Sequence, residues 1–182
     1  MLTLTTKRLL LRPMRRSDSE TIASEINHFD IVRNLARVPF PYELKHAEEF
    51  IAWTETLDAN SAVFAVEELA NPGQLIGIVS HEWSAEKENS ELGYWYAREA
   101  WGKGYASEAA AATVHHALAV ANHPLLISCY HNDNPASGRV LEKVGFVAIR
   151  QCANFSVAQN QSVPVTSMQL TREMWDQNTL RT

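Results

Sequence analysis

The sequence predicts one α/β domain: a mixed, mostly antiparallel, twisted sheet of six to seven strands flanked by about four helices. Three observations point there. Short apolar runs with turn signals between them fill the chain up to Ala97. Two glycines one residue apart, Gly102 and Gly104, then open an alanine-rich stretch of helical character. The remainder reads as a β-α-β-α-β-β tail. At 182 residues the chain suits a single core, burying roughly 70% of its unfolded surface. A domain over 1–176 with a short tail over 177–182 is expected.

Residues 7–12 read as the first strand. Ser17-Asp18-Ser19-Glu20 has the form of a capping box, starting a helix that runs to about His28. Pro39 and Pro41 interrupt the chain. From Glu43 to about Leu57, Leu44, Ala47, Phe50, Ile51 and Leu57 recur at near-helical spacing. Ser61–Glu67 and Gln74–Trp83 are strands joined by a turn at Asn71-Pro72-Gly73. Ser90–Ala97 is the next strand, and Gly104–Asn122 the central helix. Leu125–Tyr130 is a short strand and Asn134–Val144 a helix. Strands near Phe146–Phe155 and Val163–Leu170 close the chain.

Composition narrows the function. A hydrophobic fraction of 46% and a charged fraction of 20% are ordinary for a globular protein. The formal net charge of −5 argues against a general nucleic-acid or anionic-membrane binder, and suits a cationic partner such as an amine. There is no apolar leader and no run approaching 18 apolar residues, so a soluble cytoplasmic protein is expected. Cys129 and Cys152 lack metal-ligand spacing and a disulfide framework, and read as buried or inert thiols. Arg8, Arg12, Arg15 and Arg16 read as solvated charges rather than an RNA surface. His115-His116 has no H-E-x-x-H pattern, so no metal is expected.

The chemistry centres on Glu91 to Ala106, ELGYWYAREAWGKGYA. A strand ends, glycines allow close backbone approach, and the first N–H groups of a helix point at one spot where the helix dipole is positive. Such a turn cradles a phosphate. A Walker loop is missing, because no G-x-x-x-x-G-K-[ST] string occurs. A dinucleotide fingerprint fails at its third glycine, where Ser107 stands, and lacks its downstream acid. Trp101-Gly102-Lys103-Gly104-Tyr105-Ala106 fits a third pattern, [Q/R]-x-x-G-x-[G/A], everywhere but its first position. That pattern is the coenzyme A loop of the GNAT acetyltransferases.

The resemblance extends along the chain. Leu4 to Pro13 resembles the opening strand of the Rim-type GNAT branch, which holds ribosomal-protein N-terminal acetyltransferases. Glu91-Leu92-Gly93-Tyr94-Trp95 resembles its fourth strand. Asn134-Pro135-Ala136-Ser137 with Val140 to Phe146 resembles its N-x-x-S…L-E-K-x-G-F segment. The resemblance implies a GNAT fold in which the fourth and fifth strands splay, leaving a cleft for the pantetheine arm of acetyl-CoA. The backbone of Trp95 and Tyr96 would hold that arm. Trp101, Gly102, Lys103, Gly104, Tyr105 and Ala106 would hold the phosphates, with Asn134 bonding the arm as well as capping its helix. Trp101 departs from the family's Gln or Arg and is expected to pack against the loop.

Acetyl transfer to an amine needs a neutral nitrogen, a polarised thioester and a proton for the departing thiolate. Holding the two reactants together can supply about 7–11 kcal/mol, and a positioned acid or base about 10²–10⁴ in rate. By resemblance, Ser137 faces the thiol as general acid or thiolate stabiliser, since no tyrosine, which relatives outside the branch use, lies between Asn134 and Phe146. Glu91, on one strand face with Gly93 and Trp95, is the candidate base, with His81 and Glu82 as alternatives. Phe40, Phe50 and Trp53 lie on the acceptor side or in the core.

The resemblance thus implies an acetyl-CoA-dependent N-acetyltransferase acting by direct transfer, on a ribosomal or other protein N-terminus. A polyamine or aminoglycoside acceptor, or a non-catalytic acyl-CoA-binding regulatory domain, is the alternative. No metal, nucleic acid or membrane is expected, and the chain is expected as monomer or homodimer.

Overall fold

Strand order in the sheet is β1-β2-β3-β4-β5-β6-β8-β7, in a computed structural model that describes residues 2–179. The strands are β1 (Leu4–Thr5), β2 (Leu9–Pro13), β3 (Ala62–Glu68), β4 (Asn71–Ser84), β5 (Asn89–Tyr96), β6 (Leu125–His131), β7 (Val147–Ser156) and β8 (Gln161–Thr171). The helices are α1 (Ser19–Ile26), α2 (Phe29–Val32), α3 (Leu44–Thr54), α4 (Tyr105–His115), α5 (Pro135–Lys143) and α6 (Arg172–Thr179). The expected mixed, mostly antiparallel sheet is therefore present. Among the described residues it has eight strands and six helices, because a two-residue bridge at Leu4–Thr5 and the short α2 and α6 add to the expected set. The tail expected from 177 begins inside α6; residues 180–182 lie outside the described residues.

Two apolar layers cover the sheet. On one face, α4 buries Ala109, Ala110 and Val114 against Leu9, Leu11, Phe64, Leu92 and Leu126. On the other, α1 and α3 bury Ile22, Ile26, Ala47 and Ile51 against Val63, Ala65, Leu75 and Ile78. The alternation of β3, with Phe64 to one layer and Val63 and Ala65 to the other, makes it a strand covered on both faces.

Three expectations change. The helix after β2 lacks the Ser17 capping box: a short 3-10 turn (Arg16–Asp18) precedes α1, and the Asp18 carboxylate accepts from Arg15 N at 2.7 Å instead. Arg12 is not solvated. It is 3% exposed, donates through both terminal nitrogens to Asp18 at 2.8 Å and through Nε to Glu67 at 2.5 Å. The central helix is shorter, because the chain widens after His115 into a π turn (His116–Val120).

The site is positioned by one joint in the sheet. β5 and β6 pair in parallel only at Ser90–Leu126 and Glu91–Ile127. Beyond Glu91 the two strands part, and β5 pairs with β4 alone as far as Tyr96. These are the strands that the resemblance counts as fourth and fifth.

Candidate active site

Gly102 and Gly104 take φ of +74° and +81°. An L side chain is strained there, and a Cβ on Gly102 would meet nothing within 4 Å, so the glycine is needed for backbone shape rather than for space. α4 begins directly after Gly104, and its first turn is anchored from outside: Glu108 accepts from Thr6 Oγ1 (2.7 Å), Arg8 N (2.8 Å) and Arg8 Nε (2.7 Å). Arg98 grips Asp30 with two nitrogens at 2.6–2.9 Å, tying the exit of β5 to α2. The N-terminus of α4 is thus held rigidly at the end of the parted strands.

A cavity of about 400 Å³ runs along this gap. Tyr94, Trp95 and Tyr96 of β5 form one wall, the Trp101–Ser107 loop its end, and Asn134, Ser137, Arg139, Val140 and Lys143 of α5 the other wall. Leu92 O accepts from Ser128 Oγ on β6 (2.8 Å) and Tyr96 O from Trp101 Nε1 (2.8 Å), while Ala97 N donates back to Ile76 O on β4 (2.9 Å). Antiparallel alternation then turns the backbone of Leu92, Tyr94 and Tyr96 into the gap and that of Trp95 toward β4. Trp95 lines the cavity, and its side chain packs against the α1–α3 layer. Trp101, 48% exposed, reaches back to β5 and occupies the Tyr96 carbonyl. Lys103 turns away to Glu68, 4.0 Å distant, and over the Tyr105 ring.

Asn134 caps α5, its Oδ1 accepting from Ser137 N at 3.4 Å, with Pro135 at the first helical position. Gly138 allows the helix to sit against Tyr130 of β6: a Cβ there would come within 2.8 Å of the ring. Ser137 is thereby held in the wall. Its Oγ lies 2.9 Å from the hydroxyl of Tyr94, which also lies 3.0 Å from the Ser137 carbonyl. Burial pushes the Tyr94 hydroxyl up to about 12, so it keeps its proton at neutral pH.

A second cavity, of about 210 Å³, lies on the α1–α3 side. Ile22, Ile26, Tyr42, Phe50 and Ile78 line its depth, and Glu91 and Arg37 its edge. Asn34, Leu35, Tyr94, Trp95, Asn134 and Ser137 border both cavities. The loop over it is strapped to the β7–β8 hairpin, Val157 N donating to Ala36 O (3.0 Å) and Gln159 Nε2 to Arg33 O (2.9 Å), and to the β6–α5 connection, where Arg33 pairs with Asp133.

Glu91 and Gly93 are on the face expected, with Glu91 exposed and lining the second cavity. Glu82 sits opposite it in register and is engaged by Arg37 at 3.4 Å. His81 points into the other layer. It is fully buried, its Nε2 is 2.8 Å from His116 Nδ1, and burial with the neighbouring histidines lowers it to about 3. Of the aromatics singled out, Phe50 lines the cavity, whereas Trp53 and Phe40 are 38% and 44% exposed. Sequence reasoning missed Tyr94, Arg139 and Lys143. Tyr94 was readable only as the opposite-face neighbour of Gly93. Arg139 and Lys143, spaced i,i+4, both turn to the gap.

The site can take a long ligand with an anionic end: a backbone edge for its body, glycines and a helix start for its phosphates, and Arg139 and Lys143 for further charge. A split sheet with two cavities and a shared wall suits an acyltransferase that takes its acyl group from a coenzyme A thioester. Residues 8–147 match the family model described as acetyltransferase (GNAT) domain, and the chain belongs to that family. It is an acetyltransferase of the GNAT type, and the family uses acetyl-CoA. Among curated proteins no sequence matches. Among solved structures, a ribosomal-protein-S5-alanine acetyltransferase from Vibrio fischeri is 18% identical with a TM-score of 0.82, covering 96% of this chain and 99% of the other. A spermidine N-acetyltransferase from Vibrio cholerae, solved with CoA and spermine, is 22% identical with a TM-score of 0.79 over 93% and 99%. A GNAT acetyltransferase from Bacillus anthracis is 20% identical with a TM-score of 0.79 over 94% and 99%.

Proposed function

We propose that this chain transfers acetyl from acetyl-CoA directly to a primary amine, and that the amine is the α-amine of a protein N-terminus. One observation carries the reading: the two cavities share the wall made by Tyr94, Trp95, Asn134 and Ser137. A thioester lying along β5 and an amine entering from the α1–α3 side meet there, beside a pair of hydroxyls. Bringing them together does most of the work.

In the proposed reaction the amine nitrogen attacks the thioester carbon, and Glu91 takes the amine proton through the open mouth. The C–S bond then breaks, and Ser137 Oγ–H gives its proton to the thiolate. Tyr94, whose hydroxyl is the stronger acid of the pair, passes its proton to Ser137 Oγ in the same step and recovers one from solvent. The resemblance to the Rim-type branch supports the protein acceptor, as does the name of the V. fischeri neighbour. The name of the V. cholerae neighbour points instead to a polyamine, which makes a small amine the second reading. A reducing cytoplasmic setting fits both, since Cys129 and Cys152 are free thiols.

The test is CoA release by purified protein with N-terminal peptides, polyamines and aminoglycosides as acceptors, beside a calorimetric titration with acetyl-CoA. Turnover of one class with Glu91→Gln and Ser137→Ala slowed, and acetyl-CoA affinity kept, is expected. Tight binding with no turnover of any acceptor would instead identify a regulatory acyl-CoA-binding domain.

A further inference from the structure

We infer that the second cavity is a side-chain pocket that selects an α-amine whose own residue carries an uncharged, apolar side chain. This rests on the acetyl-transfer reading above and names its acceptor. The pocket's depth is formed by Ile22, Ile26, Tyr42, Phe50 and Ile78, of which Ile22, Ile26 and Ile78 are at most 4% exposed. Its charges are few and all at the mouth. Among the described lining residues Glu91 is the one carboxylate and Arg37 the one guanidinium, Glu82 beside them is paired with Arg37 at 3.4 Å, and burial holds His131, only 4% exposed, below the usual imidazole range.

Those charges match one ammonium group. The amine to be acetylated sits at the mouth, within the reach of Glu91 and beside the Tyr94–Ser137 pair. A polyamine or an N-terminal lysine would push a second ammonium into the aliphatic depth. No carboxylate waits there, and an unpaired buried charge is strongly disfavoured. An aspartate or glutamate side chain meets the same apolar depth. An aliphatic side chain, by contrast, leaves water for a matching surface.

Size points the same way. The cavity holds about 210 Å³, whereas an apolar cavity of roughly 150 Å³ already takes up benzene. A leucine or methionine side chain fits; an alanine leaves most of the space unfilled. Each methylene buried in such a pocket is worth roughly fourfold in binding. Leucine- or methionine-initiated peptides should therefore exceed alanine-initiated ones by about tenfold or more in kcat/KM.

The experiment measures kcat/KM for one peptide with Leu, Met, Ala, Ser, Asp or Lys as first residue, and for spermidine. A second arm repeats it with Val38→Asp, a half-buried loop position lining the pocket, after a thermal melt and an acetyl-CoA titration show that the variant folds. The inference expects Leu and Met first by about tenfold, and a loss of that preference in Val38→Asp with a relative gain for Lys or spermidine. Peptides turned over with no apolar preference, or with Lys preferred, overturn the pocket assignment and leave the acetyl-transfer reading standing. Spermidine turned over best overturns the pocket and the protein acceptor together. Acetyl-CoA bound with no acceptor used overturns both the pocket and the enzyme.

Discussion

Removing the Tyr94 hydroxyl, by Tyr94→Phe, isolates the smallest unit of the proposed chemistry. That hydroxyl has one proton and two neighbours, Ser137 Oγ at 2.9 Å and the Ser137 carbonyl at 3.0 Å. The carbonyl can only accept. While Tyr94 donates to it, Ser137 can donate back to Tyr94. When Ser137 gives its proton to a thiolate, the Tyr94 proton can swing to Ser137 Oγ. A hydrogen bond to an oxygen gaining charge is worth about 1.5–3 kcal/mol, so kcat should fall about 10- to 150-fold. Ser137→Ala should fall further, toward the 10²–10⁴ of a lost proton donor. Because both act through one proton, the double variant should be about as slow as Ser137→Ala alone. The assay is thiol release at saturating substrates, with acetyl-CoA affinity by calorimetry expected to stay within about twofold. A Tyr94→Phe enzyme of undiminished kcat, or losses that multiply in the double variant, would refute the reasoning.

Three further outcomes are expected. Gly102→Ala forces an L residue to φ +74° without a clash, a strain of about 1–3 kcal/mol; acetyl-CoA affinity should weaken about 5- to 150-fold, and an unchanged calorimetric Kd would contradict the loop's role. Arg12→Met strips the shared cation from Asp18 and Glu67, both at most 6% exposed, and should cost about 3–5 kcal/mol, a fall in Tm of about 6–20 °C by calorimetry. Acid should destabilise the protein well above carboxylate pKa values. His81 is lowered to about 3 when folded but titrates near 6.5 unfolded, so the unfolded state binds the extra proton between these limits. Stability is complete above about pH 6.5 and declines as pH falls toward 3; at pH 5.5 His81 alone accounts for about 1.4 kcal/mol, read as a lower Tm than at pH 7.5.

Local chemistry was legible in the sequence; long-range partnership was not. The glycine loop could be read because a positive φ before a helix leaves a residue-type mark. The placing of Glu91 and Gly93 followed from strand alternation, and the Asn134-Pro135 cap from local hydrogen bonding. Tyr94 and Ser137 are 43 residues apart, and nothing in either neighbourhood announces the other. Arg12 looked like one of four surface arginines because its partners, Asp18 and Glu67, arrive from a turn and from another strand. The second cavity draws on α1, α3, β4, β5 and β6 at once, so each lining residue alone is indistinguishable from core. α2 escaped notice because four residues give no periodicity to read.

The brief pairing of β5 with β6 bears on how long the protein lasts. Only two strand residue pairs join the β1–β5 part of the sheet to the β6–β8 part; α4, α5, a side-chain bond from Ser128 and the ties of Arg33 and Ala36 to Asp133, Val157 and Gln159 carry the rest. On the proposed reading, a thioester substrate would lie in that gap like a removable strand between the two halves. At a concentration one hundred times its Kd it adds about 2.7 kcal/mol to the folded state. On that reading, resistance to heat and to proteases should rise with the concentration of acetyl donor, as a thermal melt with and without acetyl-CoA would show.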